Sequence, residues 1–532
     1  MKGWVPPVLV LLLALGAPLL SLVHTWRGYE RATPPSRVFL GFPFMPTDHY
    51  QYAAFIRQAA EGRFFMENLF TSETQGGVFV MLYYWILGTV SRLAGLSTIA
   101  TWLVFQVVVG FIYILMFWVF TRHYVEPRGR RIGAVLIFCF AGGLDWVFVL
   151  VSRVSQGAAA LTEPYGTYWN WATFGSLSVP NWIWGAFLMT LALHLALRGR
   201  AWAGALIMPV LWLSHHHTGM VAYLTFGLLP LAPAVTALCR LESIPWDKVR
   251  SRLGLALPSL LSFAAVAAYL LWAGKDPVFA ANAAASSQWK VFFTPWWYPI
   301  TYGLLLPFAW FGIRSMARER SAAGDVCLSW LVAAIFLSIN PIAGGAKYQF
   351  LVFPPLVLLA ARGLSVVRDS SPAAARRMRD PLIAGLVVVG LFSNAPVSLV
   401  LRKIAAFDEA NAYSSAADLA AMRWLEGQPQ GVVLSFPSTG ALVPWRTGHK
   451  AYIGHWFMTI NYATKQREMQ GFFAPSVPTA AKADFLQRSG MDYVYHGPAE
   501  AQAGGVIDPA LPLERVYHEQ GVSIYRVGAA PR

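Results

Sequence analysis

The sequence predicts an α-helical polytopic membrane protein of about eleven spans with a small C-terminal α/β soluble domain. Three observations carry this. The 532 residues are 56% hydrophobic and only 13% charged, whereas a soluble domain carries about 25% charged residues. Long apolar stretches alternate with short Arg-rich loops, as a bilayer requires. After Arg402-Lys403 the composition becomes that of a globular domain. The chain is therefore divided into a transmembrane part, 1–403, and an external α/β part, 404–532.

Segments long enough to cross lie at 4–23, 98–120, 132–151, 181–197, 202–215, 219–238, 253–273, 299–313, 326–340, 348–364 and 381–400. A crossing needs about 20 residues, so the shorter pieces are tilted or extend beyond these limits. The first lacks a small-x-small cleavage site and reads as an uncleaved helix. Loops 121–131, 198–200, 239–252, 314–325 and 362–380 are rich in Arg, while 152–180, 274–298 and 341–347 are nearly free of Lys and Arg. The basic set faces the cytoplasm by the positive-inside rule. It also accounts for most of the net charge of +15, and no nucleic-acid motif accompanies that charge. The three cysteines, Cys139, Cys239 and Cys327, fall in or beside apolar segments, so the tail has no disulfide.

Residues 78–95 decide the orientation. They are apolar enough to cross, but counting them as a span with the N-terminus inside would put every basic loop outside. Either 78–95 lies at the outer interface, or the N-terminus is outside. The short N-terminus with Lys2 favours the first arrangement, in which 24–97 is an outer loop with juxtamembrane helices. Both arrangements place the C-terminal domain outside. Within this loop HYQYAAFIRQAAEGRFF has Tyr52, Phe55, Ile56, Ala59 and Ala60 at helical spacing, with Gly62 to end the run. Such a helix rests in the membrane interface or packs as a surface helix.

Asp48 precedes that helix. Either Thr47 or Asp48 caps it, or Asp48 is a carboxylate held at the membrane surface to take a proton from a hydroxyl; one position serves both. His49 stands beside it as a hydrogen-bond donor, a metal ligand or a polar interface residue. Loop 152–180 surrounds its one acid, Glu163, with Tyr165, Tyr168, Trp169 and Trp171, an interfacial belt or a platform for sugar rings. His215, His216 and His217 end a span; three consecutive residues point in different directions, a poor arrangement for a three-His metal site. Lys347, followed by Tyr348, is the one basic residue of its outer loop, suited to a lipid phosphate or to snorkelling. Asp145 and Lys290 are further candidates of these kinds.

The order of these features resembles the GT-C superfamily, membrane glycosyltransferases that use polyprenyl-phosphate-linked sugars. It rests on Asp48 in TDHYQYAAFIRQAAEG, the juxtamembrane VFVMLYYWILGTVSRLAGLS, alternating basic and short loops, GGAKYQFLVFPPLVLLAARGL, and an outer domain. The resemblance implies Asp48 as catalytic base, with Lys347, Tyr348 and the His215–His217 region toward the donor phosphate. It implies a lipid-linked sugar donor, a glycan, lipid or protein acceptor, and a cell (inner) membrane location with the C-terminal domain extracytoplasmic. The family often carries paired acids where this chain has Asp48-His49, which leaves a divalent metal open. Trp296-Trp297 is followed by Tyr298-Pro299, not by Asp, which argues against asparagine glycosylation. Rival readings are a transporter or lipid flippase, which needs polar or broken helices at the midplane, and a non-catalytic scaffold.

In the tail, 412–427, 461–473 and 479–489 read as helices. Residues 432–437, 492–497 and two stretches around Gln520-Gly521 read as strands. The stretch PSTGALVPWRTGHKAYIGHW places Arg446, His449, Lys450, His455 and Trp456 between a strand and a helix, where loops bind ligands or are simply polar.

Overall fold

The structure is a computed structural model that describes residues 5–43, 45–126, 128–141, 176–288, 298–340, 345–369, 410–502 and 504–528. The chain forms two compact units: Met1–Val23, Trp102–Leu270 and Ser287–Ala405 in one, His24–Thr101, Leu271–Ser286 and Ala406–Arg532 in the other.

The first unit is helical. Among the described residues of the whole chain six helices are long and apolar enough to cross a membrane: Pro7–Glu30, Thr98–His123, Pro180–Leu197, Trp246–Ala273, Ala322–Ile339 and Lys347–Val367. A seventh is formed if His216–Leu228 and Ala232–Leu238, bent by 56° at their junction, count as one. The break falls at Leu229-Pro230-Leu231, where proline removes a helical hydrogen bond and crowds the preceding turn. Small residues bring helices together, as in membrane bundles. A Cβ on Gly312 would strike the Leu359 carbonyl, and one on Gly363 the Phe308 carbonyl. Expected span 381–400 and the second half of 132–151 lie outside the described residues.

Ion pairs tie the Arg-rich loops to one another. Arg252 Nε donates to Asp325 at 2.7 Å in a buried pair, and Arg320 pairs with Glu242, so 239–252 meets 314–325. Arg362 pairs with Glu319, and Arg130 donates to both oxygens of Asp369. His123 meets His194 at 3.0 Å, near Arg198. Among the described residues, the five basic segments therefore gather at one end of the helical unit.

The second unit contains a five-stranded sheet. Its strands follow β1 (Val38–Phe39) and β2 (Tyr413–Ser414), which pair antiparallel as a separate ribbon. The sheet has β3 (Val432–Leu434), β4 (Lys450–Ala451), β5 (Tyr493–His496), β6 (Leu513–Glu519) and β7 (Val522–Val527) in the order β4-β3-β5-β7-β6. β3 runs parallel to β4 and β5, while β7 is antiparallel to β5 and β6. Alternation sends Leu434 and Val494 into a core with Phe472, Phe473 and Phe485, and Val433, Tyr493 and Tyr495 into another with Ala421 and Leu425. Both faces are thus covered by helices. Helix Leu82–Ala94 lies in this unit, and its 13 residues fall short of the about 20 a crossing needs. It ends at Gly95 in the left-handed conformation that glycine adopts freely. It packs so closely on Pro46–Ala60 that a Cβ on Gly88 would strike the Ile56 carbonyl and Ala59.

Candidate functional site

Helix Pro46–Ala60 begins with proline, whose missing amide hydrogen costs nothing at that position. Met45 before it has φ 42° and gives no side-chain cap. Neither Thr47 nor Asp48 caps the helix; Asp48 sits inside the first turn, where a carboxylate complements the helix dipole. The Met45 carbonyl accepts from the His49 amide at 3.2 Å and meets His49 Nδ1 at 3.1 Å. The His49 ring is buried between Phe42 and Tyr52, so it faces inward and braces the strained turn in front of Asp48. The buried residues include Tyr50, Ala53 and Ala54 as well as Phe55, Ile56 and Ala59. The helix is packed on more than one face, broader than the single stripe expected.

Asp48 Oδ1 lies 3.0 Å from Nε2 of His455. The other ring nitrogen, Nδ1, accepts from the amides of Phe457 at 3.2 Å and Met458 at 3.3 Å. A neutral imidazole has one donor and one acceptor, so these amides place the ring hydrogen on Nε2, which donates to the carboxylate. His455 is 2% and Asp48 20% exposed: the imidazole is fixed inside while the acid keeps an opening. Charge-assisted bonds of this type orient a carboxylate oxygen strongly.

The loop bearing His455 is itself held. Gly454 N donates to Thr459 Oγ1, which donates to the Phe70 carbonyl at 2.8 Å. Asn68 Nδ2 donates to the Met458 carbonyl at 2.7 Å, Ala451 N to Leu69 O at 2.8 Å, and Lys450 pairs with Glu67 at 3.0 Å. Trp456, next to His455, is half exposed. Tyr84 stacks on Tyr52 at 5.1 Å. Burial first, then Tyr52, Tyr83 and the Asp48 charge, push its phenol well above the usual range, so it stays protonated near Asp48.

The helical unit assembles a second cluster. His215 caps helix His216–Leu228 by accepting from the Thr218 amide at 3.3 Å. The rings of His216 and His217 are 4.0 Å apart, and His217 is 5.4 Å from the ring of Tyr348. Tyr348 donates to Met220 Sδ at 3.1 Å. Lys347 is within Coulombic reach of all three imidazoles. Residues 130 positions apart in sequence, roughly, thus meet as a cationic and polar group at the end opposite the Arg-rich loops.

Glu163, with Asp145 and Lys290, lies outside the described residues. Among the described residues no three His, Cys, Asp or Glu side chains come together to hold a metal ion. Of the tail residues singled out, His449 is structural: Nδ1 accepts from Gly431 N and Nε2 meets the Leu425 carbonyl. Arg446 lies over Trp445 at 3.8 Å.

No family model matches the sequence, and no curated protein is similar to it. Solved structures are similar in fold. ArnT from Cupriavidus metallidurans bound to undecaprenyl phosphate is 15% identical, with a TM-score of 0.53 and 100% of each chain covered. The oligosaccharyltransferase AglB from Archaeoglobus fulgidus, in complex with an inhibitory peptide and a dolichol-phosphate, is 13% identical with a TM-score of 0.52, covering 92% of this chain and 70% of that one. Arabinofuranosyltransferase AftD from Mycobacteria is 13% identical with a TM-score of 0.55; all of this chain matches 40% of it. The chain therefore shares its fold with these three solved proteins.

Proposed function

We propose that this protein is an inverting membrane glycosyltransferase that moves a sugar from a polyprenyl-phosphate donor to an acceptor hydroxyl at the outer face of the membrane. The observation that carries the reading is the Asp48–His455 pair: a partly open carboxylate whose orientation a buried imidazole fixes. In one displacement the acceptor oxygen forms its bond to the anomeric carbon as the bond to the lipid phosphate breaks. Asp48 takes the hydroxyl proton, and the phosphate leaves with the electron pair. Lys347, with His216, His217 and Tyr348, holds a lipid phosphate, whose growing charge a nearby cation stabilises. Trp456 offers its exposed face to a sugar ring of the acceptor. His49 acts through the turn it braces, and Glu163 belongs to the outer loops that meet the substrate.

Transfer measured in reconstituted vesicles tests this. Asp48→Asn keeps the shape and removes the base; we expect a fall of about 10²–10⁴-fold in kcat. Turnover close to wild type would sink the mechanism. A lipid flippase is the second reading, favoured by the broken helix at residues 229–231. It predicts that Asp48→Asn leaves lipid movement across the bilayer unchanged and that no glycosyl transfer is found.

A further inference from the structure

Two side-chain amides from distant parts of the chain converge on the carbonyl of Met458. Asn68 Nδ2 donates to it at 2.7 Å and Asn282 Nδ2 at 3.4 Å. Asn68 Nδ2 also donates to Asn282 Oδ1 at 3.0 Å, while its own Oδ1 accepts from the Phe70 amide at 2.9 Å. A peptide N–H only donates and a carbonyl only accepts, so these partners fix which way round the Asn68 amide lies. Asn68 is 0% exposed, where an unmatched amide would be costly; its two hydrogens and its oxygen are all used. Asn282 is in turn held against the first loop. Asp276, just before its helix Pro277–Gln288, accepts from the amides of Val278 and Phe279 and from Gly76 N at 2.6 Å.

That carbonyl closes the turn that carries His455. In the peptide between Met458 and Thr459 the N–H donates to the His455 carbonyl at 2.9 Å, so this unit is pinned at both ends. The amide of Met458 is also one of the two that address His455 Nδ1. Phe70, whose amide Asn68 holds, sets its ring edge-on to the imidazole at 6.0 Å, and its carbonyl accepts from Thr459. One hydrogen bond leaves a carbonyl free to swing, whereas two from separate segments fix its plane, and locked supports of this kind hold a site to its working geometry. We infer that Asn68, backed by Asn282, is a positioning residue for the proposed transfer, holding the His455 turn so that Nε2 points at Asp48; the inference rests on Asp48 being the base.

Glycosyl transfer by the full-length protein in reconstituted vesicles tests this, with Asp48→Asn measured alongside. Asn68→Ala should lower kcat about tenfold and leave the acceptor KM within about twofold, since a misaimed base loses orientation rather than binding. Asn282→Ala should cost about threefold, because the shorter bond from Asn68 to Met458 remains. In a His455→Ala background both substitutions should cost nothing further, as the ring they position is gone. A merely structural loss would instead lower activity by the same factor in either background. Losses that multiply that of His455→Ala would therefore overturn the assignment, and so would wild-type kcat in both single variants. If Asn68→Ala does not fold, Asn282→Ala carries the same comparison. Lost turnover in Asp48→Asn with unchanged kcat in the asparagine variants removes this inference alone. Full turnover in Asp48→Asn removes the proposed base and this inference with it.

Discussion

His455 does two things with one ring: Nδ1 reads the backbone of its own loop, and Nε2 steers Asp48. On the proposed mechanism its contribution is positional, which separates it from Asp48, the proposed base, in a kinetic experiment. His455→Ala should lower kcat about 10-fold or more with little change in acceptor KM, since a misplaced base loses orientation rather than binding. His455→Gln, whose amide reaches as far as Nε2 and donates, should recover part of that loss. Equal activity of the Ala and Gln variants would reduce the histidine to a packing residue. For Lys347 the expectation is different: Lys347→Met should raise the KM for the lipid donor about tenfold and leave that for the acceptor unchanged. Trp456→Ala should do the reverse, with Trp456→Phe close to wild type. Asp48 was legible because a lone acid opens an amphipathic run in an otherwise apolar chain. Its partner was not, because the 407 positions between them carry no periodicity that links the two. The cationic cluster was legible in parts, with Lys347 out of place in a loop without other bases. That it meets the histidines is a fact of packing.

Elements follow local pattern where their ends are marked. The helix expected before Gly62 is Pro46–Ala60, the strand expected at 492–497 is β5, and the hairpin expected around Gln520-Gly521 turns there with φ of 47° and 80°. Apolar runs gave less, because hydropathy does not register a bend: 219–238 reads as continuous and breaks at Pro230. Contacts between elements set the next two expectations. Gly363→Ala places a Cβ against the Phe308 carbonyl, and overpacking of this kind costs about 1–3 kcal/mol. Thermal unfolding in detergent should fall accordingly, and an unchanged midpoint would mean that helices Leu305–Glu319 and Phe353–Asp369 are further apart than described. Lys465 is buried, and its ammonium reaches Thr71, Ser72 and Glu73. Burial lowers its pKa, while Glu73 and Glu468 oppose that shift. Lys465→Met keeps the stem and leaves these groups without their donor. We expect a loss of about 1–3 kcal/mol, because Glu73 is part exposed and water takes over some of its bonds. Glu73→Gln together with Lys465→Met should recover part of it.

At the scale of the whole molecule, the chain returns to the same unit twice, and that constrains how often it crosses. β1 pairs with β2, Val38 opposite Ser414, so the first loop and the tail lie on one side of the membrane. Residues 271–286 belong to the same unit. Crossings between these segments must then be even in number. The segments expected from hydropathy give six between 98 and 273 and ten between 98 and 400, both even when 78–95 does not cross. In the orientation proposed here from the positive-inside rule, the gathered arginines face the cytoplasm and Asp48 the outside. The native thiols offer a direct check. Cys139 and Cys327 are buried, while Cys239 is exposed beside Arg240 at the basic end. A membrane-impermeant maleimide should leave the wild-type protein unlabelled in intact cells and label it in inside-out vesicles. In a cysteine-free background, Thr47→Cys and Glu514→Cys should both react in intact cells. Reaction at Glu514→Cys alone would break the pairing of β1 with β2 as a statement about topology and leave Asp48 unable to reach an external acceptor, which moves the flippase reading to first place. Reaction at Cys239 in intact cells would invert the molecule, and both the outer-face chemistry and the charge argument behind it would fall together.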